Sequence, residues 1–479
     1  MTDTFDRLRP SLAAGLAALL LGGCVVGPNY KGPPAVAPAA VASGAFHRAG
    51  DASAAQPEAR WWTALADPKL DALVEQALAA SPDLEAARAR LRQSRAGLKQ
   101  SRANLMPTTQ ASAAYLRTKN FTALLGGGGG GGDMNLYALG FDATWELDLF
   151  GGQRRAIEGA SAQAQASQAD LDAARVSLEA EVAQAYVTLR ELQQRLADSR
   201  RSAEIEARMV ELARIRRAGG TASDLDVEQL QTQLESTRAN LVPLQAQITE
   251  QLDRLAVLTG REPGALDAEL TPPAAIPAPP ASVAVGDPAA LLRRRPDVLA
   301  AERRLAQQNA LIGQRTADYF PKVQLLGTLG FASTDLGQLL STNDFSYLGA
   351  PVLQWSPFDF GRTRAKVSQA EAGRDEALAT YRKTVLEALE DAETSLSRYG
   401  RQRESVVSLA RVAATADRTS ALTVQRVQGG TATTLDQLDA ERRRVDAEDG
   451  LIQAKAELTL DFVSLQKSLG LGWSTAEAK

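Results

Sequence analysis

The residue types able to do chemistry are few in this 479-residue chain: there is one cysteine, Cys24, and one histidine, His47. Zinc clusters, disulfide frameworks and Cys/His catalytic pairs each need more than that, so counting excludes them. Carboxylates are plentiful, but no nucleophile, histidine or metal constellation accompanies them. Two places remain. Cys24 directly follows Leu21-Gly22-Gly23, and Asp436 and Asp439 stand three apart just after Gly429-Gly430. A spacing of three puts both carboxylates on one helix face. There they can repel one another and bind cations, or stand as solvated groups with Asp439 paired to Arg443 at i,i+4 for a few tenths of a kcal/mol.

What surrounds the cysteine gives it a context. Arg7 and Arg9 precede an apolar run from Leu12 to Leu21, too short for a stop-transfer helix, so residues 1–23 read as a signal peptide. Residues 24–60 are rich in Ala, Pro and Gly and read as a tether. The net charge of −4 has both signs interspersed, with no basic stripe of the kind a phosphate backbone requires, so nucleic acid is not an expected partner.

The stretch GGTATTLDQLDA at 429–440 has a twin, GGTASDLDVEQL at 219–230, and the chain repeats itself elsewhere too. SPDLEAARARLRQSRAGLKQSRANLMP (81–107) is answered by RPDVLAAERRLAQQNALIGQRTADYFP (295–321), and WELDLFGGQRRA (145–156) by WSPFDFGRTRAK (355–366). Two tandem copies follow: a first repeat over 61–261, a Pro-rich linker over 262–288, a second repeat over 289–471 and a tail over 472–479. The glycine run Gly126–Gly132 lies in the first copy between strands. No Gly-Lys-Ser/Thr follows it, so it reads as a hairpin tip and not as a phosphate cradle.

Each copy has the same order of elements. A helix after a proline leads to a strand pair (107–149 and 321–360), then to a long helical hairpin (151–259 and 361–469). From Tyr137 to Leu149 every odd residue is apolar, which gives a strand with one apolar and one polar face. Such a strand fits a half-buried sheet or a membrane barrel with a wet lumen. Pro351 removes a ladder donor and predicts a bulge. The helix over 151–218, at about 1.5 Å per residue, is about 100 Å long, and Leu178, Val182, Tyr186, Leu189, Leu192 and Leu196 form a coiled-coil seam along it. Gly219-Gly220 and Gly429-Gly430 are expected to end the long helices with a left-handed cap, and Thr221 and Thr431 to N-cap the return helices. Four strands cannot close a barrel in lipid, where an open edge is not tolerated; three chains would supply twelve.

The Leu21-to-Cys24 stretch, RWWTALADPKLDALVEQAL after the tether, LRRRPDVLAAERRLAQQNALIGQRTADYFPKVQLLGTLGF and the paired glycine turns together resemble the TolC-like outer-membrane factors, most closely the lipoprotein branch serving resistance-nodulation-division efflux pumps. The resemblance implies an α+β membrane protein, a homotrimer whose twelve-stranded outer-membrane β-barrel, four strands per chain, continues as a long periplasmic α-helical barrel. It implies a lipobox, with diacylglycerol and palmitate carried covalently on Cys24 as the only added group. It implies passive, non-enzymatic export of substrates delivered by an inner-membrane pump through a periplasmic adaptor protein. It also implies that Asp436 and Asp439 form a periplasmic gate and that Asp226 belongs to a tether between hairpins. The tether's usual tyrosine and arginine partners fall on Val427 and Ala432 here, which leaves Arg426 as a substitute, and Gln229 answers Asp439 in the first turn. A periplasmic adaptor would instead show one hairpin flanked by lipoyl-like segments, and a lipid-anchored envelope enzyme would need a catalytic constellation.

Overall fold

The computed structural model describes residues 25–50, 53, 55, 57–119 and 133–473. Cys24, the signal peptide, the glycine run Gly126–Gly132 and the last residues of the tail lie outside the described residues. In chain order the main elements are α1 (Pro68–Ala80), α2 (Pro82–Ala103), β1 (Thr108–Lys119), β2 (Asp133–Leu147), α3 (Gly152–Ala218) and α4 (Asp224–Leu258). They are followed by α5 (Pro288–Arg294), α6 (Pro296–Ala317), β3 (Lys322–Ser333), β4 (Phe345–Gln354), α7 (Arg362–Gln428) and α8 (Thr434–Ser468). Both α3 and α7 run for 67 residues and both α4 and α8 for 35, so the two repeats produce helices of the same length. Among the described residues, no helix is long and apolar enough to cross a membrane.

The chain divides into two compact units, each of which draws on both repeats. The first gathers the N-terminal segment to Pro34, Arg90–Ser167 and Ala300–Tyr381. Its centre is a four-stranded antiparallel sheet in the order β1-β2-β3-β4. The register from Lys322↔Gln354 to Phe331↔Phe345 runs without interruption past Pro351, so the bulge expected there does not form. β4 is an edge strand of this sheet, the position where a missing backbone donor is tolerated.

The tether is not a loose leash in this unit. The Val26 amide donates to the Phe150 carbonyl at 3.2 Å, and the Asn309 side-chain amide donates to the Pro28 carbonyl at 3.0 Å. The guanidinium of Arg155, only 3% exposed, donates to the carbonyls of Val26 and Gly27 and, at 2.6 Å, to Asn29 Oδ1, while Glu158 balances its charge at 2.7 Å. Gly27 has φ +86°, and a Cβ there would meet Gly313 Cα at 2.4 Å, so the strap and α6 touch backbone to backbone. An alanine- and proline-rich composition did not signal this docking, because the partners lie more than a hundred residues away in sequence.

The second unit holds Ala35–Ala89, Gln168–Leu299 and Arg382 onward. Within it α3 packs on α4 through Leu192, Leu196 and Leu244, and through Ala203, Val210 and Leu234. On another side α3 meets α8 through Ile205, Met209, Leu438 and Val445. The Pro-rich linker is bound here as well. Arg190 Nη1 donates to the carbonyls of Leu270 and Pro272, Gln193 Nε2 donates to Leu270, and Thr459 Oγ1 donates to Pro277. Trp61, Trp62 and Phe462 form an edge-to-face cluster, and Tyr186 donates to Asp67 at 2.8 Å.

Candidate functional site

The sheet and the helical turns carry the two features that could act, and each follows from local chemistry. Strand register puts residues of equal parity on one face. On the odd face lie Tyr115, Tyr137, Leu139, Phe141, Trp145, Leu325, Leu329, Phe331, Phe345, Tyr347 and Leu353; on the even face lie Gln110, Ser112, Asp142, Glu146, Gln324 and Thr328, with Leu116, Leu136, Leu326, Leu348 and Val352 among them. The aromatic side of β2 therefore continues across all four strands, while the alternation itself is less strict in β1, β3 and β4. Tyr347 is 81% exposed and Leu353 and Phe141 are also exposed, so the apolar face is a large surface that the other described residues do not cover. Thr109, Arg117, Asn135 and Ser333 are polar residues on that odd face. A sheet with one aromatic-rich, exposed apolar face and one face that carries the acids Asp142 and Glu146 is suited to separating lipid from water.

The ring nitrogens of two tryptophans fasten the base of the strands. Trp145 Nε1 donates to the Leu105 carbonyl at 2.9 Å, and Trp355 Nε1 to the Tyr319 carbonyl at 3.1 Å. Phe150 stacks on Phe320 with centroids 4.5 Å apart, whereas Phe358 and Phe360 are 87% and 94% exposed. Exposed aromatics at strand ends suit the boundary between hydrocarbon and headgroups.

At the other feature, the glycine turns, each helix ends in a Schellman motif. Thr221 N–H donates to the Arg216 carbonyl and Gly220 N–H to Arg217; Thr431 N–H donates to Arg426 and Gly430 N–H to Val427. Gly220 and Gly430 have φ of +73° and +71°, the left-handed geometry the motif requires. Gly219 and Gly429 do not, so within each pair only the second glycine is demanded by the backbone.

The N-caps differ from the expectation. Ser223 and Thr433 cap α4 and α8, not Thr221 and Thr431, because Thr221 and Thr431 are spent in closing the Schellman turns. Ser223 and Thr433 each form a capping box with the acid three residues on. Asp226 Oδ2 accepts from the Ser223 amide and hydroxyl, both at 2.8 Å, and Asp436 Oδ2 accepts from the Thr433 amide at 2.8 Å and hydroxyl at 2.7 Å. The Thr433 backbone and then its hydroxyl hold the Asp436 carboxyl below the usual range, with Arg426 and Arg216 adding to the effect; Ser223 does the same for Asp226. The sequence signal was present in Ser-x-x-Asp and Thr-x-x-Asp, with the shorter acid in place of Glu.

Asp439 accepts from Arg443 Nε at 2.8 Å and from Arg442 Nη2 at 3.2 Å, and Arg442 also reaches Asp446 at 2.9 Å. The sequence identified Arg443 as a partner and missed Arg442. Arg426 donates to the Thr431 carbonyl at 3.1 Å, within its own turn. In this chain Asp226 is held by Ser223 and Arg426 by Thr431, so the two are not paired with each other. Asp436, Asp439, Arg426 and Arg443 line one groove between α7 and α8. Among the described residues no cluster of acids, histidines or cysteines could hold a metal ion.

The model of the outer membrane efflux protein family matches residues 73–261 and 288–471. The outer membrane protein OprJ of Pseudomonas aeruginosa is 31% identical over 470 residues, covering 96% of both chains. The pyoverdine export outer membrane protein OpmQ of the same organism is 31% identical over 464 residues, again covering 96% of both. Among solved structures, the outer-membrane channel OprN superposes with a TM-score of 0.85 at 36% identity, over 94% of this chain and all of that one. The open state of the MtrE outer membrane channel of Neisseria gonorrhoeae superposes at 0.78 with 27% identity, over 94% and 98% of the two chains.

Proposed function

The chain belongs to the outer membrane efflux protein family, and we propose that it is the outer-membrane exit channel of a tripartite efflux system. In this reading an inner-membrane pump of the resistance-nodulation-division type and a periplasmic adaptor deliver the substrate, and this chain lets it out passively. Three chains assemble so that twelve strands close one barrel, with the odd, apolar face toward lipid and the face bearing Asp142 and Glu146 toward water. The paired helical hairpins continue the duct into the periplasm and end at the glycine turns. Diacylglycerol and palmitate on Cys24 anchor the N-terminus in the outer membrane, and the docked strap beginning at Val25 carries that anchor to the foot of β2.

Asp436 and Asp439 form the gate, in a double role. Asp436 fastens the end of its own helix while three copies of the pair set a negative potential at the periplasmic mouth. Arg443 and Arg442 partly neutralise Asp439, so opening requires exchange of these ion pairs and not only relief of repulsion.

The observation that carries the reading is the uncovered apolar face shared by all four strands, on a chain that also holds two 67-residue helices. Outer membranes extracted without boiling should yield a band migrating as a trimer that collapses to monomer on heating. Recovery of the chain in the soluble periplasmic fraction as a monomer would refute the reading.

A further inference from the structure

The motif Arg293-Arg294-Arg295-Pro296-Asp297 belongs neither to the sheet nor to the glycine turns. The fold sets it against the end of α8. That helix closes with a Schellman turn, in which Leu471 N–H donates to the Gln466 carbonyl and Gly470 N–H to Lys467. The carbonyls of Ser468 and Leu469 are left over, and they accept from Arg295 Nη1 at 2.9 Å and Arg294 Nε at 3.1 Å. Gly470 has φ +67°, and a Cβ there would meet Arg295 Cγ at 2.8 Å, so the arginine stem packs directly on the helix end. A cation there also faces the negative end of the helix dipole.

Arg295 reaches a third helix as well. Its side chain is 10% exposed; Nη2 donates to Asp391 Oδ2 at 3.1 Å and Nη1 to the Ala388 carbonyl at 3.4 Å, both on α7, while Asp297 takes a further bond from Nη2 at 2.6 Å. One guanidinium therefore joins α7, the end of α8 and the start of α6. The first repeat has no equivalent, because Ala80 and Ser81 stand where the second has Arg294 and Arg295.

Along their lengths the two hairpins differ in the opposite sense. The first is zipped by Leu192, Leu196 and Leu244 and, nearer its tip, by Val210, Leu230 and Leu234. The corresponding residues of α7 and α8 are Gln402, Val406 and Ala454, then Ser420, Ala440 and Arg444. There Gln402 Nε2 donates to the Ala454 carbonyl at 2.9 Å and Arg444 stands 3.8 Å from Asp417, while Val412 and Leu422 of α7 are left exposed. The hairpin with leucines has no arginine joint, and the hairpin with the joint has lost most of its leucines.

We propose that Arg295 is the positioning residue of the second hairpin: by clamping α7 to the end of α8 it does the work that apolar packing does in the first, and so holds Asp436 and Asp439 where they restrict the passage. The length of the rod magnifies what happens at the clamp. From Asp391 to its end at Gln428, α7 runs about 55 Å at about 1.5 Å per residue, so a tilt of about 3° at Asp391 carries the far end about 3 Å. The inference rests on the pore reading above and adds to it what fixes the gate-bearing helix.

The test uses the purified full-length assembly in planar bilayers. Arg295→Met should shift the current from small steps to larger ones, and Arg295→Lys, with one ammonium in place of a fork, should fall between. Asp391→Asn removes the α7 side of the clamp from a carboxylate that is 56% exposed, and should shift the current the same way by less; it decides the matter if Arg295→Met does not assemble. Gln402→Leu with Ala454→Leu copies the Leu192 and Leu244 pair of the first hairpin and should return the Arg295→Met current to small steps. Parent-like currents in the Arg295 and Asp391 variants would overturn the inference and leave the pore reading standing. Larger steps that the leucine pair does not reduce would make Arg295 a general support of the fold and overturn it too. Bilayers that stay silent with the parent chain itself would remove the pore reading instead.

Discussion

Asp436 accepts two hydrogen bonds from Thr433, and Asp226 accepts the same two from Ser223, so the first-repeat and second-repeat acids have one structural role in common. What differs lies one turn further on, where Asp439 with its arginine pair corresponds in the repeat to Gln229. The asymmetry of the proposed gate therefore resides in Asp439 more than in Asp436.

This separation can be measured. Asp436→Ala with Asp439→Ala should raise single-channel conductance and weaken block by divalent cations in planar bilayers. Asp436→Asn keeps an acceptor for the Thr433 amide but removes the charge. If the charge matters, Asn should behave like Ala in cation block; if only capping matters, Asn should behave like the parent chain.

The glycine turns make a sharper prediction about position. Gly220→Ala and Gly430→Ala place a Cβ at positive φ and should each destabilise the hairpin by about 1–2 kcal/mol. Gly219→Ala should be nearly neutral, since its new Cβ would meet the Arg216 carbonyl oxygen at an ordinary 3.6 Å. Amide hydrogen exchange over 215–226 reads both outcomes, and equal effects at the two glycines would contradict the assignment of the left-handed cap.

Asp461 on α8 should make the protein respond to pH. Burial, followed by the neighbouring Glu457 charge, pushes its carboxyl from an ordinary 3.8 up to about 6, with Arg398 opposing. A folded value above the unfolded one means that stability is greatest below about pH 4 and is lost as pH rises toward 6. Asp461→Asn should therefore stabilise the protein at pH 7.5, by of order 1 kcal/mol once solvent screening of this half-buried group is allowed for, and by little at pH 4. Thermal unfolding, or dissociation of the proposed trimer, at the two pH values checks it.

For the anchor, Cys24→Ala should abolish labelling by radioactive palmitate while leaving the chain exported. Persistent labelling would place the lipid elsewhere.

Much of the fold was written in local pattern. Strand alternation was legible because a period of two survives in a single strand, and the hairpins were legible because Gly-Gly-Thr recurs at a fixed offset. The true N-caps were missed by two residues, since a Schellman turn consumes the threonine that composition nominates, and the Ser-x-x-Asp and Thr-x-x-Asp boxes went unread. The docking of 25–34 on Arg155 and Asn309, and of the Pro-rich linker on Arg190 and Gln193, had no local signal at all. Both depend on buried polar side chains meeting bare carbonyls distant in sequence, which no periodicity encodes. Pro351 was read as a bulge because a lone sequence does not say which strand is an edge.

The central claim is that this chain forms a pore, and the most direct measurement is conductance of the purified full-length assembly in a planar bilayer. The account predicts discrete current steps, small for the parent chain and larger for the variant carrying Asp436→Ala and Asp439→Ala. Bilayers that stay silent with both, although the protein has inserted, would contradict it.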